Sequence, residues 1–431
     1  MTVKLLRSPR LSSRIGTVPA WWDKALWTIG LVSAAWAADG TIRLAVNRLQ
    51  LDMAVYLMGG RNLVDGRLYL VGLPRPPHLP FTYPPFAALV FAPLSALAQS
   101  WAQVIWAVVN VAALFALLAL SLRAALPALG RHRVIQWSLV LMAPAYHLEP
   151  VQLTFSYGQV NVVLAAMVLA DLTLYGHIGK RTLPRGVLVG IAAAIKLVPL
   201  VFVPYLFVTR QTRAAWVSLG TFVTCSLLTA ATDPRVSWSY WTKYAFDAQR
   251  VGGVFYISNQ SLRGAVDRLD HRVVSTGLIT VAAAVVVVVG VALAAWAFRS
   301  SSPFLGVLVC AATGLLASPI TWAHHLVWVV PILIWLACAP DRPQGGRYWA
   351  VAGAALFVWA PIWRVPDATN KELSEHGWQL LEGNAFFLAT VVFMLGVAVM
   401  LWRRRRAPFA ASAGPETGVA DTQPSVQVAE E

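Results

Sequence analysis

Residues 273–298 read VVSTGLITVAAAVVVVVGVALAAWAF and contain no charged side chain. About 20 consecutive apolar residues are enough for a helix to span the hydrocarbon core of a bilayer, so this stretch predicts a transmembrane helix. The rest of the chain has the same character, because 58% of its 431 residues are hydrophobic and only 12% are charged. Soluble domains of this length do not bury an apolar core of that size. The sequence therefore predicts an all-α polytopic membrane protein.

Ten further apolar runs are candidate spans. One of them, Arg185–Phe207, carries Lys196 and Pro199 near its middle, where a single lipid-facing helix tolerates neither residue well. We therefore divide it into two short helices that meet near Lys196, which brings the total to about twelve crossings. The ten runs are Ala25–Val46, Trp101–Leu122, Val134–Leu148, Gln159–Tyr175, Arg185–Phe207, Ala214–Ala231, Phe304–Leu316, Leu326–Ala339, Tyr348–Trp363 and Asn384–Trp402.

The segment Pro84–Ala98 is also apolar, but it is short for a span and begins with paired prolines. Counting it as a crossing would place Arg123, Arg131 and Arg133 outside, against the preference of basic residues for cytoplasmic loops. We therefore expect it to be an interfacial helix on the outer leaflet, within the first outward loop.

Basic residues fix the predicted orientation, because Lys and Arg concentrate in cytoplasmic loops. This distribution also accounts for the formal net charge of +15 without nucleic acid, since the positive residues lie between apolar runs and not along one face. Both termini are then cytoplasmic, and most of the unusual polar residues face outward. The basic groups are Lys180, Arg181 and Arg185, then Arg210 and Arg213, then Arg342 and Arg347, then Arg403 to Arg406.

Two features near the start and inside the spans have ordinary interpretations. The triplet 35–37, Ala-Trp-Ala, loosely resembles a signal-peptidase site, but such triplets are common in this chain and we favour a retained anchor. Cys225, Cys310 and Cys338 lie in apolar runs without paired spacing, so we predict neither a disulfide framework nor a metal site.

Asp52 is the first candidate for chemistry, since it lies in the outward loop Asn47–Pro80 within the run Leu-Asp-Met-Ala-Val-Tyr. A carboxylate there could take a proton from a hydroxyl group, although an Asp before an apolar run is also a common helix N-cap. Asp39 and Arg43 are four residues apart on the first span and predict a structural ion pair.

Polar residues around the next spans form a second group of candidates. Glu149 and the run Tyr-Gly-Gln-Val-Asn at 157–161 bracket a short outward loop, where the amides of Gln159 and Asn161 suit sugar hydroxyls, with helix capping as the alternative. Lys196 at a helix break is costly in a membrane unless it binds an anion such as a lipid phosphate. Snorkelling or pairing with a carboxylate would also explain it.

The long outward loop Thr232–Arg272 contains the run Asn-Gln-Ser-Leu-Arg-Gly at 259–264, after a stretch rich in Trp and Tyr. Aromatic rings with the amides of Asn259 and Gln260 and the guanidinium of Arg263 suggest contact with a glycan or a lipid headgroup. An interfacial aromatic belt explains the Trp and Tyr residues equally well.

The run Ser-Pro-Ile-Thr-Trp-Ala-His-His at 318–325 places two histidines at the outer end of a span. Adjacent residues on a helix point about 100° apart, so His324 and His325 do not face one metal ion without a break. A hydrogen bond from either ring to a phosphate or a sugar fits better, and Trp322 would lie beside it.

Taken in order, the motifs D-x-x-x-Y, F-T-Y-P-P, Y-G-Q-V-N, K-L-V-P, N-Q-S-x-R-G and S-P-I-T-W-A-H-H resemble a known family. They are similar to the actinobacterial polyprenol-phosphate-dependent mannosyltransferases of glycosyltransferase family 87, membrane enzymes of the GT-C type. The likeness runs from about Leu51 to Trp402 and is greatest to the enzymes that extend phosphatidylinositol mannosides. Thr321 stands where serine is frequent.

The resemblance implies a lipid-phosphate mannose donor, a phosphatidylinositol mannoside or related glycolipid acceptor, and an inverting α-(1→2) transfer without a nucleotide sugar, a cofactor or an indicated metal. It implies a plasma-membrane enzyme with its site on the extracytoplasmic side, and interfacial helices in the first outer loop. The chain would divide into a basic cytoplasmic N-terminus (1–23), a GT-C catalytic domain (24–402), and a basic stop with a disordered cytoplasmic tail (403–431).

On the same resemblance Asp52 becomes the expected general base, and Lys196 with His324 or His325 would hold the departing phosphate. The residues expected to orient sugar hydroxyls and the headgroup are Tyr83, Glu149, Gln159, Asn161, Asn259, Gln260, Arg263 and Trp322. Three alternatives stay open: an arabinosyltransferase that uses a polyprenyl-phosphate pentose, a lipid-linked sugar transporter, and a structural partner in an envelope-synthesis complex.

Overall fold

The computed structural model describes residues 20–174, 183–367 and 371–411, and within those ranges the chain is helical. The only β pairing there is two isolated bridges, Gly72 with Pro80 and Asn259 with Trp322. This confirms the predicted all-α class. The α-helices are α1 Ala20–Asn47, α2 Leu51–Arg61, α3 Pro85–Ser95, α4 Gln99–Ala125, α5 Arg131–Val140, α6 Met142–Tyr146, α7 Glu149–Tyr157, α8 Asn161–Thr173, α9 Val187–Ile195, α10 Phe202–Val208, α11 Thr212–Thr232, α12 Pro234–Thr242, α13 Leu262–Leu269, α14 Thr276–Ser300, α15 Pro303–Ala317, α16 Val329–Cys338, α17 Gly346–Trp359, α18 Trp378–Gly383 and α19 Ala385–Ala411.

Short 3-10 turns connect several of these helices. They are Val198–Val201, Tyr244–Phe246, Ala248–Val251, Ala323–Trp328, Pro361–Arg364 and Lys371–Ser374.

Five helices in the described ranges, α1, α4, α11, α14 and α19, are long and apolar enough to cross a membrane. A sixth crossing would come from α7 and α8, which are bent by 116° at the break between them. The chain is therefore a membrane protein, while the count of about twelve crossings stays a prediction. The basic residues Lys180 and Arg181, the N-terminal residues 1–19 and the tail 412–431 lie outside the described residues.

The predicted helix break near Lys196 is confirmed. Helix α9 ends at Ile195, Lys196 has an extended backbone with φ −152° and ψ 126°, and a 3-10 turn leads into α10. The segment Pro84–Ala98 forms the 11-residue helix α3, shorter than a span, as expected, but its position relative to the lipid stays a prediction. The predicted span Val134–Leu148 is instead divided between α5 and α6.

The helices that carry the polar motifs pack together at one place. Helix α8 lies against α4 and α9, while the turn with the two histidines packs against α7 and α8. Helix α15 is buried on nearly every side. A helix that is apolar all round belongs in a protein interior, so α15 forms the backing wall of this region. On the first span the expected ion pair between Arg43 and Asp39 is confirmed at 2.7 Å, and both side chains are exposed.

Candidate active site

Asp52 lies in the first turn of α2, outside the candidate spans. The N-cap of that helix is Gln50, and no side chain caps it. The capping explanation for Asp52 is therefore wrong. The carboxylate is instead in the neighbourhood of Gln159 and Lys196. Burial raises the pKa of Asp52 to about 6, and both the hydrogen bond from Gln159 and the charge of Lys196 oppose that rise.

Lys196 joins three helical segments through its ammonium group. Its Nζ donates a hydrogen bond to the Asn161 Oδ1 at 2.8 Å and lies 2.8 Å from the His325 Nε2. An ammonium only donates, so the His325 Nε2 must be the acceptor, which leaves the ring proton on Nδ1. That Nδ1 is buried and has no partner among the described residues. His325 therefore presents a free N–H donor next to a lysine.

His324 is held by its backbone, while its ring stays uncommitted. Its carbonyl accepts hydrogen bonds from the Asn161 Nδ2 at 3.0 Å and from the Thr154 Oγ1 at 3.2 Å. The ring packs edge-on against Tyr157, with centroids 5.7 Å apart. Neither ring nitrogen has a partner within the described part of the chain, although the residue is only 5% exposed. Buried hydrogen-bonding groups without a partner are few in folded proteins, and a ligand is one explanation for them.

Gln159 connects the neighbourhood of Asp52 to two tyrosines. Its Oε1 accepts from the Tyr56 hydroxyl at 2.8 Å, and its Nε2 donates to the Tyr83 hydroxyl at 3.0 Å. The two phenols are 3.1 Å apart. We refer to Asp52, Gln159, Asn161, Lys196, His324 and His325 as the catalytic cluster.

A cavity of about 470 Å³ lies beside the catalytic cluster. Of the residues predicted for the site, five line its wall, and they are Tyr83, Lys196, Arg263, Trp322 and His325. Other parts of the wall come from the segment 244–249 and from the first turns of α14. Asp52 is not a wall residue but lies close enough to Lys196 and Tyr83 for its charge to act on both.

A second, smaller space of about 50 Å³ continues from Lys196 and His325 into the protein, between α8, α15 and the turn at Val198–Val201. Apart from Asn161, Lys196 and His325, its walls are apolar. We call it the apolar crevice. The rings of Phe202 and Trp328 are part of its lining. The apolar side chains of this crevice therefore lie directly beside the Lys196 ammonium group.

Asn259 and Gln260 have a different position from the one that their residue types suggested. The Asn259 Nδ2 donates to the carbonyls of Val254 and Pro319 at 2.7 and 3.1 Å, and its Oδ1 accepts from the Thr321 amide at 2.8 Å. The Gln260 Nε2 donates to the Ile257 and Gly383 carbonyls, each at 2.7 Å. Both side chains are buried, and their amide groups donate hydrogen bonds to backbone carbonyls.

Arg268 completes this arrangement, although the sequence alone did not indicate it as a residue of interest. It is fully buried, and its guanidinium donates to the carbonyls of Phe255, Tyr256 and Asn259 and to the Asn384 side chain. We refer to Asn259, Gln260, Arg268 and Asn384 as the loop clamp. It fastens the outward loop after α12 to the segment that carries the histidines and to the start of α19.

Glu149 and Arg263 occupy two further positions. Glu149 begins α7 and accepts a hydrogen bond from the Trp363 indole, so the length of α7 separates it from Tyr157 and Gln159. Arg263 lines the cavity but is already committed in part, through a 2.7 Å ion pair with Asp267 and a bond to the Val274 carbonyl.

The aromatic stretch of the long loop is divided between two environments. Tyr240, Tyr244 and Phe246 line the cavity. Trp238 is 73% exposed on the outside, as an interfacial belt would require, and Trp241 packs on Phe222. The stretch therefore has residues at the cavity and residues on the outside, and both interpretations stay predictions.

Tyr56 is the second residue that sequence reasoning did not place in the site. Its signal was present, because Asp52 and Tyr56 are four residues apart and lie on one face of a helix. Arg268 gave no comparable signal, since its partners are backbone carbonyls. Among the described residues, no three His, Cys, Asp or Glu side chains lie close enough together to hold a metal ion.

Comparison with known proteins gives consistent matches. The family model described as glycosyltransferase family 87 matches residues 81–319. The chain is 32% identical over 423 residues to the polyprenol-phosphate-mannose-dependent alpha-(1-2)-phosphatidylinositol mannoside mannosyltransferase of Mycobacterium tuberculosis, covering 91% of this chain and 94% of that protein. Its counterpart in Mycolicibacterium smegmatis is also 32% identical, over 91% and 92% of the two chains.

A related M. tuberculosis protein, named as a phosphatidylinositol pentamannoside mannosyltransferase with the same donor, is 35% identical over 79% of this chain and 78% of its own length. No solved structure gives a significant match.

Proposed function

This chain belongs to glycosyltransferase family 87, and from that premise we propose that it transfers mannose from a polyprenyl-phosphate-mannose donor to a phosphatidylinositol mannoside. The new bond is an α-(1→2) linkage. The reaction takes place on the extracytoplasmic side of the plasma membrane. The named activities of the mycobacterial relatives support the donor and the acceptor class.

The observation that carries the chemical proposal is that Asp52 lies near Gln159 and Lys196, and that Lys196 lines the cavity. The acceptor hydroxyl oxygen attacks the anomeric carbon of mannose while the bond from that carbon to the phosphate oxygen breaks. Asp52 takes the hydroxyl proton, and polyprenyl phosphate leaves with the bonding electrons. A single displacement of this kind inverts the anomeric centre. A carboxylate with a pKa of about 6 is ionised at neutral pH and is still basic enough to accept the proton.

The leaving phosphate is proposed to lie against Lys196 and His325. Two donor hydrogens of the Lys196 ammonium are directed at Asn161 and His325, which leaves one for a ligand. The free Nδ1–H of His325 adds a second donor. Fixed donors placed where negative charge grows lower the barrier without any reorganisation. The lipid-linked sugar is the activated co-substrate in this scheme, so no separate cofactor or metal takes part.

The sugar and the acceptor headgroup are proposed to occupy the cavity. Tyr83, Arg263 and Trp322 offer a hydroxyl, a guanidinium and an aromatic face along its wall. The backbone bonds of Asn259 and Gln260 argue against direct contact by those two side chains, and their contribution is to hold the wall in place.

The test is a transfer assay with labelled polyprenyl-phosphate-mannose and a phosphatidylinositol mannoside in detergent, with the product linkage determined by mass spectrometry. We expect Asp52→Asn to lose activity by a factor on the order of 10² to 10⁴, the range for a general base. Asp39→Asn is the matched control, because Asp39 is exposed in an ion pair with Arg43, and it should keep full activity. Full activity of Asp52→Asn would refute the mechanism.

The same assay separates the alternatives. Preference for a polyprenyl-phosphate pentose in competition with the mannose donor would identify an arabinosyltransferase. A transporter or a structural partner would form no product in detergent, where no membrane gradient exists. Either result would replace the proposed activity.

A further inference from the structure

Three charged side chains line the cavity within the described part of the chain, and they are Lys196, Asp247 and Arg263. Lys196 is already assigned to the leaving phosphate. Asp247 accepts a hydrogen bond from the Arg250 amide at 3.3 Å and so caps the short turn that follows it. Arg263 is therefore the one cationic group of the described wall that the transfer step itself does not use.

Arg263 is held in place by two hydrogen bonds. Its Nε donates to the Asp267 Oδ2 at 2.7 Å, and its Nη2 donates to the Val274 carbonyl at 2.9 Å. The Val274 amide in turn donates to the Asp267 Oδ1 at 2.8 Å. A guanidinium has five N–H groups, so three of them remain without a partner in the described structure. Because Asp267 is completely buried while Arg263 lines the cavity, the carboxylate lies behind the guanidinium and leaves those three N–H groups to the cavity.

The cavity reaches the start of α14, a helix long and apolar enough to cross the membrane. Thr276 at its beginning lines the cavity, while Leu278 and Val281 in the same turns are 62% and 64% exposed. Large apolar side chains on the outside of the first turns of a span indicate that the hydrocarbon region begins there, next to the lipid headgroups. Arg263 is bonded to Val274, two residues before α14, and therefore lies at the level of lipid phosphates.

Lys196 and Arg263 are at different ends of the run 318–325. Ser261, two residues before Arg263, donates from its hydroxyl to the Pro319 carbonyl at 3.2 Å. Lys196 lies 2.8 Å from the His325 Nε2, six residues further along that run. The described wall of the cavity thus has two separate cationic positions, one beside the histidines and one beside the start of α14.

Resting on the proposed function, we propose that Arg263 binds the phosphodiester of the acceptor lipid. The transfer brings two lipid phosphates to one cavity, because the donor is a polyprenyl phosphate and the acceptor is a phosphatidylinositol mannoside. A guanidinium binds a phosphate through two parallel N–H groups, and Arg263 has three that are free. The acceptor phosphate does not react, so this contact supplies binding and selects acceptors that carry a negative charge.

The experiment compares two acceptors in the same uncharged detergent with the full-length protein. One is phosphatidylinositol mannoside, and the other is a synthetic analogue in which an uncharged carbamate replaces the phosphodiester. The unaltered protein should prefer the charged acceptor by about 10- to 100-fold in kcat/KM, the range for a hydrogen bond between charged groups. Arg263→Met should remove that preference by lowering kcat/KM for the charged acceptor alone, with the donor KM changed less than about twofold.

Arg272→Met is the matched control, because Arg272 follows the same helix, is exposed in an ion pair with Asp270 and is outside the cavity wall. It removes an equal charge and should keep the preference. Arg263→Met leaves the buried Asp267 without its cation, which destabilises the fold. The double variant of Arg263→Met with Asp267→Asn removes both charges, keeps an acceptor for the Val274 amide, and should show the same loss of preference.

Equal kcat/KM of the unaltered protein for the two acceptors would overturn the inference, and so would an equal loss for both acceptors in the Arg263 variants or a lost preference in Arg272→Met. A larger effect on the donor KM than on the acceptor would assign Arg263 to the polyprenyl phosphate instead. If neither Arg263 variant accumulates in membranes, the preference of the unaltered protein alone decides.

Binding of the charged acceptor without donor gives a measure that does not depend on transfer. Its Kd should rise by about 10- to 100-fold in the Arg263 variants, and an unchanged Kd would remove this arginine from the acceptor site. The proposed function fails separately, if no mannose is transferred or if Asp52→Asn stays active.

Discussion

The catalytic cluster and the loop clamp are both buried, polar and built from motifs of the outward segments, but they use their hydrogen-bonding groups differently. In the loop clamp the donors of Asn259, Gln260 and Arg268 are directed at backbone carbonyls and at Asn384. In the catalytic cluster both ring nitrogens of His324 and one of His325 have no partner in the described structure.

This difference leads to different expectations for substitutions in the two sets of residues. A buried group that is fully paired stabilises the fold, and removing it leaves its partners unsatisfied. A buried group with a spare donor costs free energy in the resting protein and is explained by a ligand that binds there. We expect substitutions in the loop clamp to reduce stability, and substitutions in the catalytic cluster to reduce rate or donor affinity.

The largest effect should come from the loop clamp. Arg268→Met removes the donors of three backbone carbonyls and of Asn384, at about 1 to 3 kcal/mol for each group left unpaired, and should lower the free energy of unfolding by more than about 3 kcal/mol. Thermal unfolding in detergent measures this. Arg272→Met is the control, because Arg272 is exposed in an ion pair with Asp270 and should leave the unfolding midpoint nearly unchanged. Equal effects of the two would contradict the assignment.

The next effect concerns the catalytic cluster. Lys196→Met should raise the donor KM by about 10- to 100-fold, since a charged hydrogen bond is worth about 1.5 to 3 kcal/mol, and should leave the acceptor KM nearly unchanged. Initial rates at varied concentration of each lipid measure both constants. Lys371→Met, at an exposed lysine in the loop before α18, should change neither. An unchanged donor KM in Lys196→Met would remove this lysine from the site.

A smaller effect tests the packing of the clamp. An added Cβ at Gly264 would overlap the Asn259 carbonyl oxygen and come within 3.0 Å of its side chain, so Gly264→Ala should cost about 1 to 3 kcal/mol of stability. Gly277, in the first turn of α14, has nothing within 4 Å of the same position. Gly277→Ala should be neutral or slightly stabilising. Unfolding midpoints of the two variants give the comparison, and a neutral Gly264→Ala would show that the loop adjusts freely.

The smallest effect is the pH dependence of the unaltered enzyme. The base must be ionised to accept a proton, and the pKa of Asp52 is raised to about 6. Activity should therefore be complete above about pH 7, half-maximal near pH 6 and about tenfold lower at pH 5. Measured kcat/KM between pH 4.5 and 8 checks this, with membranes returned to pH 7.5 to show that the loss is reversible. A flat profile down to pH 5 would mean that Asp52 does not titrate in this range.

The sequence predicted those parts of the site in which a polar residue interrupts or ends an apolar run. Lys196 interrupts an apolar run, and a charge in that place breaks a helix, as the structure confirms. Gln159, Asn161 and the histidines lie at the ends of apolar segments that the sequence predicts to be on one side of the membrane, and the structure brings them together. For these residues, the hydropathy pattern along the chain and their position in the fold have the same cause, which is the cost of a polar group within an apolar segment.

Other features depended on contacts between distant segments. Residue type could not distinguish Gln159, which binds Tyr56 and Tyr83 near Asp52, from Gln260, whose partners are the carbonyls of Ile257 and Gly383. Glu149 was grouped with Gln159 by its nearness along the chain, but α7 places it at the opposite end of a helix, beside Trp363. The hydropathy pattern also could not predict the number of membrane crossings, because several apolar runs form short, broken helices.

The apolar crevice behind Lys196 also matters for inhibition. Any small molecule designed for the site would meet a cation and a neutral imidazole in front of about 50 Å³ of hydrocarbon-lined space. That volume accepts a branched alkyl group or a halogen but not a sugar ring. A compound that joins an anionic mimic of the leaving phosphate to a short apolar branch would use both surfaces at once, and a larger residue at Ala165 or Ala311 would reduce the space for that branch.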